Sequence, residues 1–303
     1  MGLFDLFKKA PIISTETIIA ADSGDETAKE KLNYAFARGL TSEEHNIIRK
    51  KVYYPLAVNG DANAQYWMGF LYLNVDKNAN QALYWFEKAA AQGNTEAMLA
   101  LAFGYSEFIN DPDNSYAGYI GFGFDTSKER FWKLKAAESG NSQAQVDLAL
   151  DYSIDGDVEN ALKMYQKATN SNDCKILMKA YKGLADIYGN SLNAQNHNVS
   201  KQKECLIRVL EMKQNNLNDM GAYDETYYAS AAFSLGSIFM REYENTKDLV
   251  TLKRYVYCFV LSYTCGNNFA KDIIEKSGYA LSRNEIDVWQ SHARSLSFYL
   301  PKC

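Results

Sequence analysis

One spacing of small and aromatic residues recurs along this 303-residue sequence and constrains its fold more than any other feature. Counted from Gly60, Ala64 stands at offset +4, Met68 and Gly69 at +8 and +9, and Tyr72 at +12. The same offsets after two later glycines give two further sets: Gly93, Ala97, Leu101, Ala102 and Tyr105; and Gly140, Ala144, Leu148, Ala149 and Tyr152. On a helix these offsets form one stripe, where small residues allow a second helix to approach closely.

A second signature precedes each of the two later glycines. It reads W-x-x-K-A-A and covers Trp85–Ala90 before Gly93 and Trp132–Ala137 before Gly140. The glycine then stands where a left-handed residue commonly ends a helix, because it has no Cβ to oppose that conformation. Together the two signatures predict a helical hairpin, in which helix A follows a glycine and helix B ends in the alanine-rich turn.

Weaker copies extend this pattern in both directions and divide the chain. Residues 1–23 form an N-terminal segment, whose apolar start is expected to hold a short helix that caps the first hairpin or docks on a partner. Hairpins are predicted near 24–59, 60–92, 93–139, 140–175, 176–226 and 227–265, with a closing helix pair in 266–303. A single elongated array over residues 24–303 therefore replaces the two domains that the length alone suggests.

The pattern GxxxAxxxLGxxY followed by WxxKAAxxG resembles the Sel1-like repeat, a relative of the tetratricopeptide repeat. The resemblance covers nearly the whole chain; it is strong over residues 60–171 and weaker over 172–265, where the Lys-Ala-Ala turn is lost. It implies an all-α fold, a right-handed α-α superhelix or solenoid of about six helical-hairpin repeats with a C-terminal capping helix pair. It also implies a bacterial protein that contacts other proteins without catalysis.

Composition and missing motifs exclude several functions. The net charge of −5 disfavours a nucleic-acid binder, and no apolar stretch is long enough for an integral membrane segment. Five cysteines without paired spacing predict neither a disulfide framework nor a zinc site. Three separated histidines and the lack of nucleophile or phosphate-binding motifs predict no enzyme, no cofactor and no metal. Free thiols and the absence of a secretory signal predict a cytoplasmic protein.

Two groups of residues are candidate partner-binding sites. The first, here called the groove set, lies on the face of helix A opposite the packing stripe and along its edge: Tyr66, Phe70, Leu99, Phe103, Gln143 and Asp147. In tetratricopeptide-like solenoids this face lines the concave groove. The second is a loop between residues 106 and 127, where about 14 extra residues carry the aromatic residues Tyr116, Tyr119, Phe122 and Phe124. Aromatic side chains are good interface anchors, and insertions in repeat arrays map to loops on one face.

An alternative applies to both groups. Tight curvature would bury the groove set between hairpins, and the rings of the loop would then fold back over the neighbouring core. If the residues are accessible, they predict a non-catalytic scaffold or adaptor that binds one protein partner through the groove and the 106–127 loop, and the acidic balance favours a basic partner. Two other functions stay open: a bacterial immunity-type inhibitor of a toxic effector, and a module that binds a small ligand or glycan.

Overall fold

The computed structural model describes residues 15–22, 25, 27–28, 52–106, 121–192, 195–215 and 222–276. Over these residues the regular secondary structure is helical and no strand occurs, so the prediction of an all-α fold is confirmed. The thirteen helices of this part are α1 (Thr15–Asp22), α2 (Tyr54–Val58), α3 (Ala62–Asn74), α4 (Ala79–Ala91), α5 (Thr95–Tyr105), α6 (Thr126–Glu138), α7 (Ser142–Ile154), α8 (Val158–Ala168), α9 (Cys174–Gly189), α10 (Val199–Asn215), α11 (Ala222–Thr246), α12 (Leu249–Thr264) and α13 (Asn268–Lys276).

The helices belong to two compact units, one ending at Asn141 and one beginning at Ser142. In the first unit, α3 pairs with α4 and α5 pairs with α6, while α2 packs on α3 and α4 packs on α5. In the second, the pairs are α7 with α8, α9 with α10 and α11 with α12, and α13 packs on α12. Each described hairpin is therefore an A helix followed by its B helix. The continuity of one array across both units stays a prediction.

The packing stripe of helix A is buried in both units, as its spacing predicts. The alanines at offset +4 are at most 2% exposed; they are Ala64, Ala97, Ala144, Ala180 and Ala231. The larger residues at +8 are also buried; they are Met68, Leu101, Leu148, Leu184 and Leu235. A small residue next to a large one at each level lets the helices interdigitate at close range.

A glycine in the left-handed conformation follows four of the B helices, α2, α4, α6 and α12, as predicted, whereas α8 is followed by Thr169. Gly60, Gly93 and Gly140 have φ values of 100°, 89° and 98°. The Gly60 N–H donates to the carbonyl of Ala57 at 3.1 Å, and the next N–H, from Asp61, donates to the carbonyl of Leu56 at 3.0 Å. These two bonds form a Schellman motif, which satisfies carbonyl groups at the end of a helix.

The residue after the glycine then begins the next A helix. The Asp61 carboxylate accepts from the backbone N–H of Ala64 at 2.7 Å, and Asn94 accepts in the same way from Ala97 at 2.9 Å. One Asp or Asn thus closes the Schellman motif with its backbone and caps the following helix with its side chain. Because one residue has both roles, a short and fixed turn joins the B helix to the next A helix.

Aromatic rings of one helix also occupy the space beside glycines of another. A Cβ added to Gly69 would lie 2.6 Å from Cδ1 of Phe86, a fully buried ring on α4. In the second unit, a Cβ on Gly183 of α9 would lie 2.3 Å from the ring of Tyr165 on α8. Real Cβ atoms do not approach other atoms this closely, so these glycines are needed for the close packing of the helices.

Candidate functional site

The groove set in the first unit begins on α3, where Tyr66 and Phe70 are half-buried. The Tyr66 ring lies 5.4 Å from that of Trp67 and 5.8 Å from that of Phe86, and the Phe70 ring lies 5.5 Å from Trp67. Burial, together with the nearby carboxylate of Glu96, raises the pKa of Tyr66, so its hydroxyl stays protonated. Both residues are therefore part of an aromatic cluster and also keep accessible surface.

On α5 the two predicted residues differ in exposure, since Leu99 is half-buried and Phe103 is 46% exposed. Polar side chains border this face and are hydrogen-bonded to one another within the first unit. Asn94 donates to the amide oxygen of Asn63 at 2.9 Å, and Asn141 donates to the carboxylate of Glu96 at 2.8 Å. An exposed aromatic residue such as Phe103, bordered by polar side chains that are hydrogen-bonded to one another, is typical of a small protein interface.

Residues 107–120 of the 106–127 loop lie outside the described part, and the predicted residues Tyr116 and Tyr119 are among them. The Phe122 N–H donates to the carbonyl of Gly104 at 2.7 Å. Its half-buried ring lies 5.5 Å from that of Tyr105, and a Cβ on Gly104 would meet it at 2.3 Å. Phe122 thus packs on its own unit, as the alternative interpretation of the loop expects.

Phe124 has a different environment from its neighbour in the loop. It is 54% exposed, and the α6 helix begins two residues later at Thr126. Between them, Asp125 caps that helix by accepting from the backbone N–H of Lys128 at 3.0 Å. The structure therefore fixes the backbone on both sides of Phe124 and leaves its ring at the surface.

In the second unit, Gln143 and Asp147 lie on α7, and the Gln143 amide donates to the Asp147 carboxylate at 2.7 Å. The next residues of this face are not equivalent. Val146 is buried, whereas Leu150 is 53% exposed and Ile154 is 76% exposed. Val146, which is not a member of the groove set, is therefore a buried position of this face, and Leu150 and Ile154 of the same helix stay at the surface.

Three carboxylates alternate with the exposed apolar residues of α7. The residues at offsets 0, +3, +4 and +7 from Asp147 share one side of α7, and Asp155 follows at +8 in the turn after the helix. These five residues are called the α7 stripe here: Asp147, Leu150, Asp151, Ile154 and Asp155. Sequence reasoning missed Asp151, Ile154 and Asp155, although their 3–4 residue spacing was readable.

The electrostatic field of the stripe reaches a neighbouring tyrosine. Burial is the main cause of the raised pKa of Tyr165 on α8, and the carboxylates of Asp186, Asp147 and Asp151 raise it further, while a hydrogen bond with Ser153 lowers it. These carboxylates are therefore close enough to act together on one group. An anionic surface with apolar residues inside it can attract a cation and bury apolar area at once.

The described ranges also show what this part of the chain lacks. Among the residues described, no group of three or more His, Cys, Asp or Glu side chains could hold a metal ion. Over the same ranges, no helix is both long and apolar enough to cross a membrane. Cys174, Cys205, Cys258 and Cys265 are free thiols.

The paired A and B helices, their buried alanine stripe and the glycines that follow four of the B helices define a protein built of α-helical hairpin repeats. No protein-family model matches the sequence, and no curated protein matches it either. Among solved structures, a Sel1 repeat protein from Oxalobacter formigenes is similar, with a TM-score of 0.50, 17% identity, and coverage of 92% of this chain and 97% of that one. The chain has the fold of a Sel1-like repeat protein, as the sequence resemblance predicts.

Two other solved structures are similar at lower TM-scores. One is a protective antigen present in uropathogenic Escherichia coli strains and displaying an SLR fold, with a TM-score of 0.43, 22% identity and coverage of 93% of this chain. The chain spans 63% of the length of that antigen. The other is a putative Sel1 repeat protein from Klebsiella pneumoniae subsp. pneumoniae, with a TM-score of 0.38, 20% identity and coverage of 75% of this chain and 98% of that one.

Proposed function

We propose that this protein is a non-catalytic, cytoplasmic scaffold that binds a basic protein partner through exposed residues of its A helices. The observation that carries the proposal is the α7 stripe, in which the well-exposed Leu150 and Ile154 alternate with three aspartates. Exposed apolar residues that share one face with charges of a single sign are typical of a protein-binding surface.

The spacing of the stripe favours a helical partner. Its residues repeat every three or four positions, so they present one line of contacts about 12 Å long from Asp147 to Asp155. An amphipathic helix with apolar residues on one side and Lys or Arg beside them would match this line. In this proposal Leu150 and Ile154 supply the buried contact, and the aspartates attract and orient the basic residues.

Exposed residues of the first unit are a separate candidate surface. Phe103 and Phe124 are exposed aromatic residues, and Tyr66, Phe70 and Leu99 keep part of their surface accessible. We assign them a secondary role, because the face of Leu99 and Phe103 carries one carboxylate, that of Glu96, where the α7 stripe carries three. Phe122 is left out of this surface, since its ring already packs on Gly104 and Tyr105.

Affinity capture from host cells tests the proposal, with the tagged full-length chain as bait and mass spectrometry as readout. The variant Leu150→Ser/Ile154→Ser removes the apolar part of the stripe. Its matched control is Leu249→Ser/Val250→Ser, which removes two apolar residues that are each 58% exposed on α12 of the same unit. Loss of interface anchors weakens binding by about tenfold or more, so we expect the partner to be lost from the stripe variant only.

A second variant measures the contribution of the aspartate charges separately from that of the apolar residues. Asp151→Asn/Asp155→Asn keeps the shape of the stripe and removes two charges. We expect slower association with the captured partner and a weaker dependence of binding on salt, because charges at the edge of an interface act mainly on the association rate. Equal capture by the wild type, both stripe variants and the control would disprove binding at the α7 stripe.

A further inference from the structure

A cleft of about 440 Å³ lies in the second unit, away from α7. The end of α9, the turn before α10 and the first residues of α10 form one wall, with Gly189, His197 and Gln202. The opposite wall is α11, with Phe233, Ser234 and Arg241 among its lining residues. This volume is within the range of small-ligand sites, about 300–1,000 Å³.

The sequence of α11 explains why the space is open. Ser234, Ser237, Arg241 and Asn245 recur at a helical spacing and share the side of α11 that lines the cleft. A helix that packs tightly against a neighbour would carry apolar residues at such positions. The two half-buried serines are too small to reach the opposite wall, so the hairpin of α9 and α10 leaves a gap here.

The opposite wall is held close by a glycine. A Cβ on Gly189 would lie 2.1 Å from the amide nitrogen of Gln202, so this side chain passes directly over the α9 backbone. Phe233 and Ile238 supply the apolar part of the cleft, and Ile238 is buried. The cleft therefore combines an apolar side with polar groups at its rim, as ligand sites commonly do.

The charges of the cleft select the kind of ligand. The Glu242 carboxylate is bonded to the Lys203 ammonium at 2.7 Å, so its charge is compensated within the protein. Arg241 also lines the cleft, and its guanidinium has no ion pair with any residue that the structure describes. One uncompensated positive charge can neutralise a monoanion, whereas a dianion such as phosphate would keep a net negative charge in the cleft. The planar guanidinium matches the two oxygens of a carboxylate.

We propose that this cleft binds a short peptide segment through a carboxylate, with Arg241 as its anchor. Ser234 and Gln202 supply further hydrogen-bonding groups, and Phe233 with Ile238 accommodates an apolar side chain next to the carboxylate. The carboxylate comes from an Asp or Glu side chain or from a chain terminus, since both present the same group. This site is separate from the α7 stripe, so failure of either proposal leaves the other standing.

Titration calorimetry of the full chain at low salt tests the proposal with three tripeptides. They are acetyl-Ala-Leu-Asp-amide, acetyl-Ala-Leu-Ala with a free carboxylate, and acetyl-Ala-Leu-Asn-amide, which has no charge. We expect at least one of the two carboxylate peptides to bind about tenfold more tightly than the uncharged peptide, the effect of one hydrogen-bonded charge. The better of the two identifies the source of the carboxylate.

Three variants locate the binding. Arg241→Gln removes the charge of an exposed side chain, so the fold is kept, and it should reduce the affinity for the carboxylate peptide to that for the uncharged one. Ser234→Leu fills the cleft, keeps the charge and should also abolish binding. Arg208→Gln is the matched control, because this exposed arginine of α10 pairs with Glu211 and does not line the cleft. Equal affinity for all three peptides, unchanged binding by Arg241→Gln, or tighter binding of inorganic phosphate than of acetate would overturn the proposal.

Discussion

Replacing Gly69 with alanine would improve the helix propensity of α3 and would overpack its contact with α4. Gly69 lies inside α3, where alanine is favoured over glycine by about 1 kcal/mol. The added Cβ, however, would lie 2.6, 2.7 and 2.9 Å from Cδ1, Cε1 and Cγ of Phe86. That ring is fully buried between the rings of Tyr66 and Phe122, whose centroids are 5.8 and 6.3 Å away, so it has no free space to move into.

Overpacking a core in this way costs about 1–3 kcal/mol, and contact with three atoms of an immobile ring puts the cost in the upper part of that range. Subtracting the gain in propensity leaves a net loss of about 1–2 kcal/mol of unfolding free energy. Urea unfolding followed by tryptophan fluorescence measures it, because Trp67 and Trp85 lie on the two helices concerned. Because the two units can unfold separately, the wild type and the variant should be compared by the unfolding transition that this tryptophan fluorescence reports.

A second background makes the test specific for the contact. In a Phe86→Leu protein the smaller side chain leaves room for the new methyl group, and Gly69→Ala should then cost little or become stabilising. Gly104→Ala gives a further comparison, because its Cβ would meet Phe122, which is half-buried rather than fully buried as Phe86 is. Stabilisation by Gly69→Ala in the wild-type background would refute the packing argument.

Three further predictions concern the repeat and its buried groups. Asn94→Ala should lower stability by about 1 kcal/mol in thermal melts, since it removes the cap of α5; Asn94→Asp should keep most of it. Ala144→Leu should cost about 1–3 kcal/mol in urea melts because this position is fully buried, and a wild-type melt would show that the register is wrong. Burial raises the pKa of the Cys205 thiol from 9.0 to about 11, so the folded state keeps the proton that the unfolded state releases. The stability that this thiol contributes should therefore be fully present below pH 9 and be lost between pH 9 and 11. Cys205→Ala should reduce this decline, and Cys174→Ala should not.

The helices and their register were predictable because their causes are local. A left-handed glycine, a capping residue and a stripe at helical spacing all act within a few residues, as at Gly93, Asn94 and Ala97. Sequence reasoning missed the caps that Asp61 and Asn94 form after two of these glycines, although Asp and Asn are preferred N-cap residues. Such local signals survive even where the repeat is weak, as the buried Ala180 and Ala231 show.

The candidate site was harder to predict because exposure depends on which surface a neighbouring helix covers. Val146 and Leu150 belong to the same predicted face of α7, yet one is buried and the other is 53% exposed. Phe122 and Phe124 are two residues apart in one loop, and the ring of Phe122 packs against Gly104 of α5 because that residue has no Cβ. In each pair both residues are apolar and lie within four positions of each other, so the local sequence does not predict which one is exposed.

The sequence by itself determined that this chain forms helical hairpins of the Sel1-like kind, because helix period and end signals are properties of short segments. Only the tertiary structure decided which side chains of those hairpins stay exposed to solvent and can bind other molecules. It placed the ring of Phe122 against Gly104, left the α7 stripe at the surface and opened the cleft beside Arg241. The reason is that each of these features depends on space between segments far apart in the chain, and that space is set by packing rather than by local sequence.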